Sequence, residues 1–116
     1  METSTNASSN LEDLDWIQLF YSRHCDGDWE HSFGFDIKNA DNPGWIFEFD
    51  LEDTKLSIIE FEEINIRRSE YNWIMCRKKD NKFFGSGGVF NLSELIHIFR
   101  EWVEHNLSSD ESVWLK

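Results

Sequence analysis

The stretch that decides the fold reads Cys25-Asp26-Gly27-Asp28-Trp29-Glu30-His31 and continues into Ser32-Phe33-Gly34-Phe35. Asp26 and Gly27 are typical of a tight turn. From residue 29 to residue 38 apolar and polar side chains alternate, which predicts a strand with one buried face and one face in water. His31 falls on the apolar face of that strand. The stretch therefore predicts a turn that leads directly into a half-buried strand.

A second alternating segment, residues 45–51, predicts a partner strand, and Asn42-Pro43-Gly44-Trp45 predicts the turn between the two. Because both apolar sets occupy odd-numbered positions, odd residues must pair with odd residues if both are to face one core. A three-residue loop with Gly44 in the left-handed conformation pairs Asp36 with Asp50. A five-residue loop pairs Asp36 with Glu48 instead.

Either register places acid opposite acid on the outer face of the hairpin, and like charges in that position destabilise a sheet. One interpretation is that Asp36, Glu48 and Asp50 form an acidic surface for a basic partner. The other is a well-solvated face on which salt screens the repulsion.

A helix is predicted before this hairpin, because Ser9 and Glu12 have the spacing of a capping box. Its apolar face is expected to comprise Leu11, Leu14, Ile17, Phe20 and Tyr21. Trp16 and Leu19 point away from that face. Another segment of the chain covers them, or they stay open for a partner.

The remainder of the chain predicts more sheet and a closing helix. Residues 56–68 are extended in character, with a break at 62–63, and residues 71–78 are apolar on both faces, as in a central strand. Asp80-Asn81 predicts a hairpin turn, residues 82–84 a short strand and residues 85–88 a flexible crossover. Asn91 is a good N-cap with Glu94 at the third helical position. The final helix has its apolar residues at helical spacing, namely Leu92, Leu95, Ile96, Phe99, Trp102 and Val103.

This order of elements predicts an α+β domain, in which an antiparallel meander of about five strands carries an N-terminal and a C-terminal helix on one face. We expect a disordered leader at residues 1–8, a single domain at residues 9–106 and a tail at residues 107–116. Within that tail, Val113-Trp114-Leu115 could dock onto the domain.

The composition limits the partners of the protein. The 116 residues carry a formal net charge of −12, which disfavours nucleic acids and anionic membranes and favours a basic protein partner. The two cysteines, Cys25 and Cys76, form no Cys-x-x-Cys pattern or disulfide framework. Residues 1–10 lack the apolar centre of a signal peptide, and no apolar run reaches the length of a membrane helix. A reduced, cytoplasmic protein is expected.

Four groups of residues are candidate sites of chemistry. Cys25 with His31 could form a nucleophile and base, but Asp26 and Asp28 beside the thiol oppose its ionisation. The set His24, Cys25, Asp26, Asp28 and His31 suits zinc by residue type, yet lacks any recognised ligand spacing.

Gly85, Gly87 and Gly88 precede a helix, as in phosphate-binding loops, but lack the lysine and the spacing of those motifs. The carboxylates Asp36, Glu48 and Asp50 lie on a wet face without an evident cleft. A structural role is favoured for the first three groups and protein binding for the carboxylates. No catalytic residue, metal or cofactor is therefore expected.

Several blocks of the sequence together resemble the immunity protein 53 family of bacterial polymorphic toxin systems. The most specific blocks are Cys25-Asp-Gly-Asp-Trp-Glu-His31 and Asp41-Asn-Pro-Gly-Trp45. The similarity extends over residues 11–104 and includes Trp16-Ile-x-x-Phe-Tyr21, Arg68-Ser-Glu70, Trp73-x-x-Cys-Arg77, Phe84-Gly85-x-Gly87-Gly88, Asn91-Leu92 and Phe99-x-x-Trp102.

The resemblance implies a small cytoplasmic α+β protein that binds and blocks a cognate toxin domain encoded beside it. Together with the charge, it predicts that an acidic surface occludes a basic toxin, such as a nuclease, through Trp16, Asp36, Glu48 and Asp50. One alternative is a small enzyme that uses Cys25 and His31. Some relatives carry a sulfurtransferase-like label, although neither cysteine here has the basic loop that this chemistry needs. The other alternative is an adaptor domain with a partner other than a toxin.

Overall fold

The computed structural model describes residues 11–107 and has two helices and five strands. The elements are α1 (Asp13–His24), β1 (Phe35–Ala40), β2 (Gly44–Asp50), β3 (Ile64–Ser69), β4 (Asn72–Lys79), β5 (Lys82–Gly87) and α2 (Leu92–Asn106), with 3-10 helices at Trp29–His31 and Lys55–Ile58. The predicted α+β class is confirmed. The predicted disordered leader and the Val113-Trp114-Leu115 segment lie outside the described residues.

The five strands form one antiparallel sheet in the order β1-β2-β5-β4-β3. The predicted meander is wrong, because β5 rather than β3 is the neighbour of β2. Residues 51–63 carry the chain to the far edge, from which β3, β4 and β5 return as successive hairpins. The last of these turns at Asp80 and Asn81, as predicted, and both residues have positive φ (55° and 61°), as a two-residue hairpin turn of type I′ requires.

Both helices pack on one face of the sheet through a core of aromatic rings. Phe20 of α1 lies 5.4 Å from Phe49 of β2 between ring centroids, and Phe99 of α2 lies 4.9 Å from both Phe49 and Phe83. Fully burying a ring such as Phe99 contributes about 1.5–3 kcal/mol. The predicted apolar face of α2 is confirmed: Leu95, Ile96, Phe99, Trp102 and Val103 are buried and Leu92 packs against them.

The position of α1 differs from the prediction at both its start and its buried face. The helix begins at Asp13, with Glu12 rather than Ser9 as its N-cap residue. Leu14 is 58% exposed, whereas Trp16 is fully buried and stacks on Phe20 at 5.1 Å. The reason is that α1 packs against α2 as well as the sheet, and the Arg100 guanidinium of α2 lies over the Trp16 ring.

Residues 25–31 form a turn that ends in a short 3-10 helix, and they are not the start of a strand. The Asp26 carboxylate accepts hydrogen bonds from the backbone N–H groups of residues 28 and 29, and the Glu30 carboxylate accepts from those of residues 26 and 27. Such local side-chain bonds compete with a sheet ladder. Trp29 is buried and its indole N–H donates to the Glu52 carbonyl at 2.9 Å. His31 is exposed, so its predicted place on the apolar face is wrong.

The β1–β2 hairpin adopts the register that pairs Asp36 with Glu48, the second of the two alternatives. The closing pair is Ala40 with Gly44, so the loop is the three residues 41–43 and not the five residues predicted for this register. Gly44 does not have the predicted left-handed conformation. A Cβ atom at Gly44 would instead collide with the Gly87 carbonyl of β5, so glycine is needed here for close strand approach.

The connection between β2 and β3 is less extended than predicted. Residues 55–58 form a 3-10 helix whose first turn is capped by the Thr54 hydroxyl, and the strand begins only at Ile64. Lys78, on the inner side of β4, fixes this connection. Its ammonium group donates to the carbonyls of Leu56, Ser57 and Ile59 at 3.2, 2.7 and 2.7 Å.

Candidate partner-binding face

The side of the sheet opposite the helices is not covered by any part of the chain that the structure describes. We call it the open face. Strand alternation and the observed register place the following residues on it: Asp36, Lys38, Ile46, Glu48, Asp50, Lys82, Phe84, Ser86, Trp73, Met75, Arg77 and Lys79. Three of the four residues predicted to bind a partner lie here.

One row across the open face joins four strands. Asp36 of β1 pairs with Glu48 of β2, Glu48 pairs with Phe84 of β5, and Phe84 pairs with Arg77 of β4. Asp36 is exposed and Glu48 is half-buried. The structure therefore brings these two predicted acids together, on neighbouring strands about 4.8 Å apart.

Asp50 belongs to the next row but is already engaged within the protein. Its Oδ2 atom accepts a hydrogen bond from the Gly34 N–H at 2.9 Å, and its Oδ1 atom lies 3.7 Å from the Lys82 ammonium group. The carboxylate thereby fixes the entry into β1. Asp50 consequently presents less free charge to a partner than Asp36 does.

The sequence-based prediction missed a basic half of the open face. The Arg77 guanidinium lies over the Phe84 ring, 5.4 Å from its centroid, and Lys79 and Lys82 follow in the next row. A groove of about 490 Å³ lies mainly on the β4–β5 hairpin and reaches β2 at Glu48; it is lined by Glu48, Arg77, Lys79, Asp80, Lys82 and Phe84. Strand parity could have found Arg77 and Lys79, because buried Ile74 and Cys76 fix the odd residues of β4 on the outside.

Trp16, the remaining predicted contact residue, has no exposed surface in this structure. Among residues 11–107, the strongly exposed large aromatic side chains are Tyr71 (55%) and Phe90 (86%), both in loops at one end of the sheet. A second groove, of about 600 Å³, lies beside α2 on the helical side, with an apolar floor that includes Phe61 and Trp102 and an acidic rim that includes Glu101.

The residues considered for catalysis are not arranged as a reactive pair. The Cys25 thiol donates to the Tyr21 carbonyl at 3.4 Å, and within residues 11–107 it forms no hydrogen bond with His31. Cys76 is fully buried, and burial raises the pKa of its thiol to about 12, which keeps it protonated and unreactive.

The described residues do not form the metal site that was considered. Among the described residues, no group of three or more His, Cys, Asp or Glu side chains could hold a metal ion. His24 is buried against Phe20 and Trp29, with its Nδ1 atom 2.9 Å from the Phe20 carbonyl.

The glycine segment is strand rather than crossover. Gly85 and Gly87 belong to β5, where a Cβ atom would lie 3.2 Å from Leu95 and 3.1 Å from Asn91, respectively. These glycines let α2 approach the sheet closely, and they form no phosphate cradle.

Asn91 precedes α2 as predicted, but its side chain makes no capping bond. Its amide group donates to the side chains of Asn72 and Glu94 at 3.0 Å each and accepts from the Trp73 N–H. Arg68 completes the network through two bonds to Glu94. The network fastens the β3–β4 turn to the start of α2, which gives these residues a structural role.

The fold and this face define a small α+β protein whose charged sheet surface is left uncovered by residues 11–107. The family model of immunity protein 53 matches residues 14–104, most of the chain. The protein therefore belongs to the immunity protein 53 family. No curated protein and no solved structure gives a significant match. Neither described helix has the length and apolar character needed to cross a bilayer.

Proposed function

We propose that this immunity protein neutralises a cognate toxin domain by binding it through the open face and occluding the toxin's functional surface. The observation that carries the proposal is the match of residues 14–104 to the immunity protein 53 family. The uncovered sheet face supplies a surface on which such binding can occur.

The acidic pair Asp36 and Glu48 is the proposed contact for a basic region of the toxin. Two carboxylates on neighbouring strands repel each other, and a cation bound between them would relieve that repulsion. With a net charge of −12, the protein would also attract a basic partner over distance and accelerate the encounter. A nuclease, whose active site is basic because it binds phosphates, is the class of toxin that fits best.

Under this proposal the protein acts in the cytoplasm as a stoichiometric binder without catalysis, metal or cofactor. Residues 9–106 form the binding domain. A cysteine-dependent enzyme lacks support, because Cys25 donates to a carbonyl and Cys76 is buried.

The test is co-expression of this protein with the product of the adjacent gene, followed by purification and mass determination of the complex. A complex of defined stoichiometry and rescue from the toxicity of that product are expected. Absence of both would overturn the proposal.

Charge-neutral variants test the contact itself. Asp36→Asn with Glu48→Gln should slow association and flatten its salt dependence. The matched control is Glu62→Gln with Glu63→Gln, the same charge change at two exposed positions before β3. Equal on-rates for the two double variants at low salt would contradict a role for the Asp36–Glu48 pair.

A further inference from the structure

We infer that the open face recognises a toxin surface that carries charges of both signs, with cations opposite β1–β2 and a carboxylate-bearing segment opposite β5–β4. This inference rests on the proposed function and specifies the chemistry of the partner. It replaces the expectation of a uniformly acidic binding surface.

The open face does not carry the acidic excess of the protein. Asp36, Glu48 and Asp50 lie on β1 and β2 together with Lys38, and Arg77, Lys79 and Lys82 lie on β4 and β5. The net charge of the protein therefore resides on other surfaces. A partner that matched only the acids would leave the three cations facing its own cations, which costs binding free energy.

Most of the basic half is available for a partner because internal ion pairs engage only Lys82. Its ammonium group lies 3.7 Å from Asp50. Within the described residues, Arg77 and Lys79 form no ion pair. Partially exposed charges without partners, beside a groove of about 490 Å³, are positioned to pair with carboxylates from outside.

Phe84 divides the two halves and supplies an apolar centre. It belongs to β5, the middle strand, and is half-buried under the Arg77 guanidinium. An aromatic ring with a stacked arginine is the type of group that dominates binding energy at protein interfaces. Strand spacing puts β1 about 14 Å from β4, so both halves fit within one interface of ordinary size.

A second copy of this chain is the competing occupant. Rotation by 180° about the direction of β5 would place the acidic half of one copy over the basic half of another. The net charge of −12 opposes that association, since two copies repel each other. A basic toxin domain lacks this penalty, and we therefore favour the toxin.

Lys38 and Lys79 provide a matched pair of probes. Both are exposed lysines on the open face, Lys38 in the acidic half and Lys79 in the basic half. Lys38→Glu and Lys79→Glu change the total charge equally. If the face only needs negative charge, both variants bind faster and tighter. If it recognises both signs, the two variants change affinity in opposite directions.

The experiment measures the affinity of each variant for the purified product of the adjacent gene, with Lys79→Glu/Lys82→Glu as a stronger third variant. We expect Lys79→Glu/Lys82→Glu to weaken binding by about tenfold or more and Lys38→Glu to tighten it. Thermal unfolding midpoints equal to that of the wild type show that each variant is folded.

Two results would overturn the inference while the proposed function stands: equal changes for Lys38→Glu and Lys79→Glu, or unchanged binding by the Lys79→Glu/Lys82→Glu variant. A free protein with the mass of a dimer, which dissociates in the Lys79→Glu/Lys82→Glu variant, would assign the face to a second copy. Failure of the wild-type protein to bind at all would overturn the proposed function instead.

Discussion

Arg68, at the irregular end of β3, and Glu94, in the first turn of α2, form a two-point ion pair. The Nη2–Oε2 distance is 2.7 Å and the Nη1–Oε1 distance is 3.1 Å. Glu94 also accepts a hydrogen bond from Asn91, which is buried between the helix and the β3–β4 turn. The pair therefore connects an edge hairpin to the helix that covers the core.

The stability contributed by this pair should depend on pH in the acid range. The hydrogen bond from Arg68 is the main cause that lowers the pKa of Glu94 below its ordinary value. A carboxyl whose pKa is lower in the folded state stabilises the protein above its unfolded pKa, and the effect is lost as the pH falls through the folded pKa. We expect Arg68→Gln to lower the urea midpoint at pH 7 and to match the wild type near about pH 2.5.

Arg67→Gln is the control for that measurement, because Arg67 is the adjacent exposed arginine and has no ion pair within residues 11–107. Its midpoint should follow the wild type at every pH. If the urea midpoint of Arg68→Gln stays below that of the wild type by the same amount at low pH, the loss of stability comes from packing or from Asn72, the other partner of Arg68.

Lys78 should be essential to the connection between β2 and β3. Its ammonium group satisfies three carbonyl oxygens, and Lys78→Met would remove all three hydrogen bonds. We expect the free energy of unfolding to fall by about 1–3 kcal/mol, the cost of leaving partly buried acceptors unsatisfied. Lys79→Met, one residue further and exposed on the open face, should change it by less than about 0.5 kcal/mol. Equal effects in urea titrations would refute the role of the three carbonyls.

How far the sequence predicted the structure depends on how local the determining contacts are. The apolar pattern of α2 and the Asp80-Asn81 turn are set by neighbours in the chain, and both were predicted. The strand order was missed because no short-range pattern distinguishes β3 from β5 as the neighbour of β2. That choice depends on the length of the 51–63 connection and on the close fit of Gly44 to Gly87.

Trp16 was wrongly predicted as a contact residue for the same reason: its burial depends on contacts that are distant in the sequence. Helical periodicity assigns one apolar face to α1, but α1 packs on both the sheet and α2, so a residue beside that face is buried. The outward position of Asp36 and Glu48 follows from strand alternation and was predicted. The position of the basic half beside these acids was not predicted. Strand parity can place Arg77 outward, but only the unexpected strand order brings Phe84 next to Glu48 and Arg77 next to Phe84.

The two thiols should differ in reactivity towards iodoacetamide. Cys76 is fully buried and the pKa of its thiol is raised to about 12, so very little thiolate is present at about pH 8. We expect peptide mapping of the native protein to show labelling of Cys25 alone, and labelling of both cysteines in urea. Native labelling of Cys76 would mean that the sheet opens on the experimental timescale. Rapid labelling of Cys25 in mildly acidic buffer would restore the enzyme alternative.

Gly44 and Gly27 should tolerate substitution differently, because glycine is needed at each for a different reason. Gly27 has φ of 91°, and a Cβ atom added there would meet nothing within 4 Å, whereas Gly44 has ordinary φ but faces the Gly87 carbonyl. Gly27→Ala should cost about 1–2 kcal/mol of backbone strain, and Gly27→Asn should cost less, since Asn adopts positive φ more readily. Gly44→Ala should cost at least about 1–3 kcal/mol through overpacking, and Gly44→Asn should be no better.

Urea titrations of the four variants test this contrast. We expect Gly27→Asn to be more stable than Gly27→Ala, and Gly44→Asn to be no more stable than Gly44→Ala. If Gly44→Asn were also more stable than Gly44→Ala, this glycine would be required for its backbone conformation, as its place after Pro43 first indicated. In that case the contact between β2 and β5 could not be the constraint that selects the observed strand order.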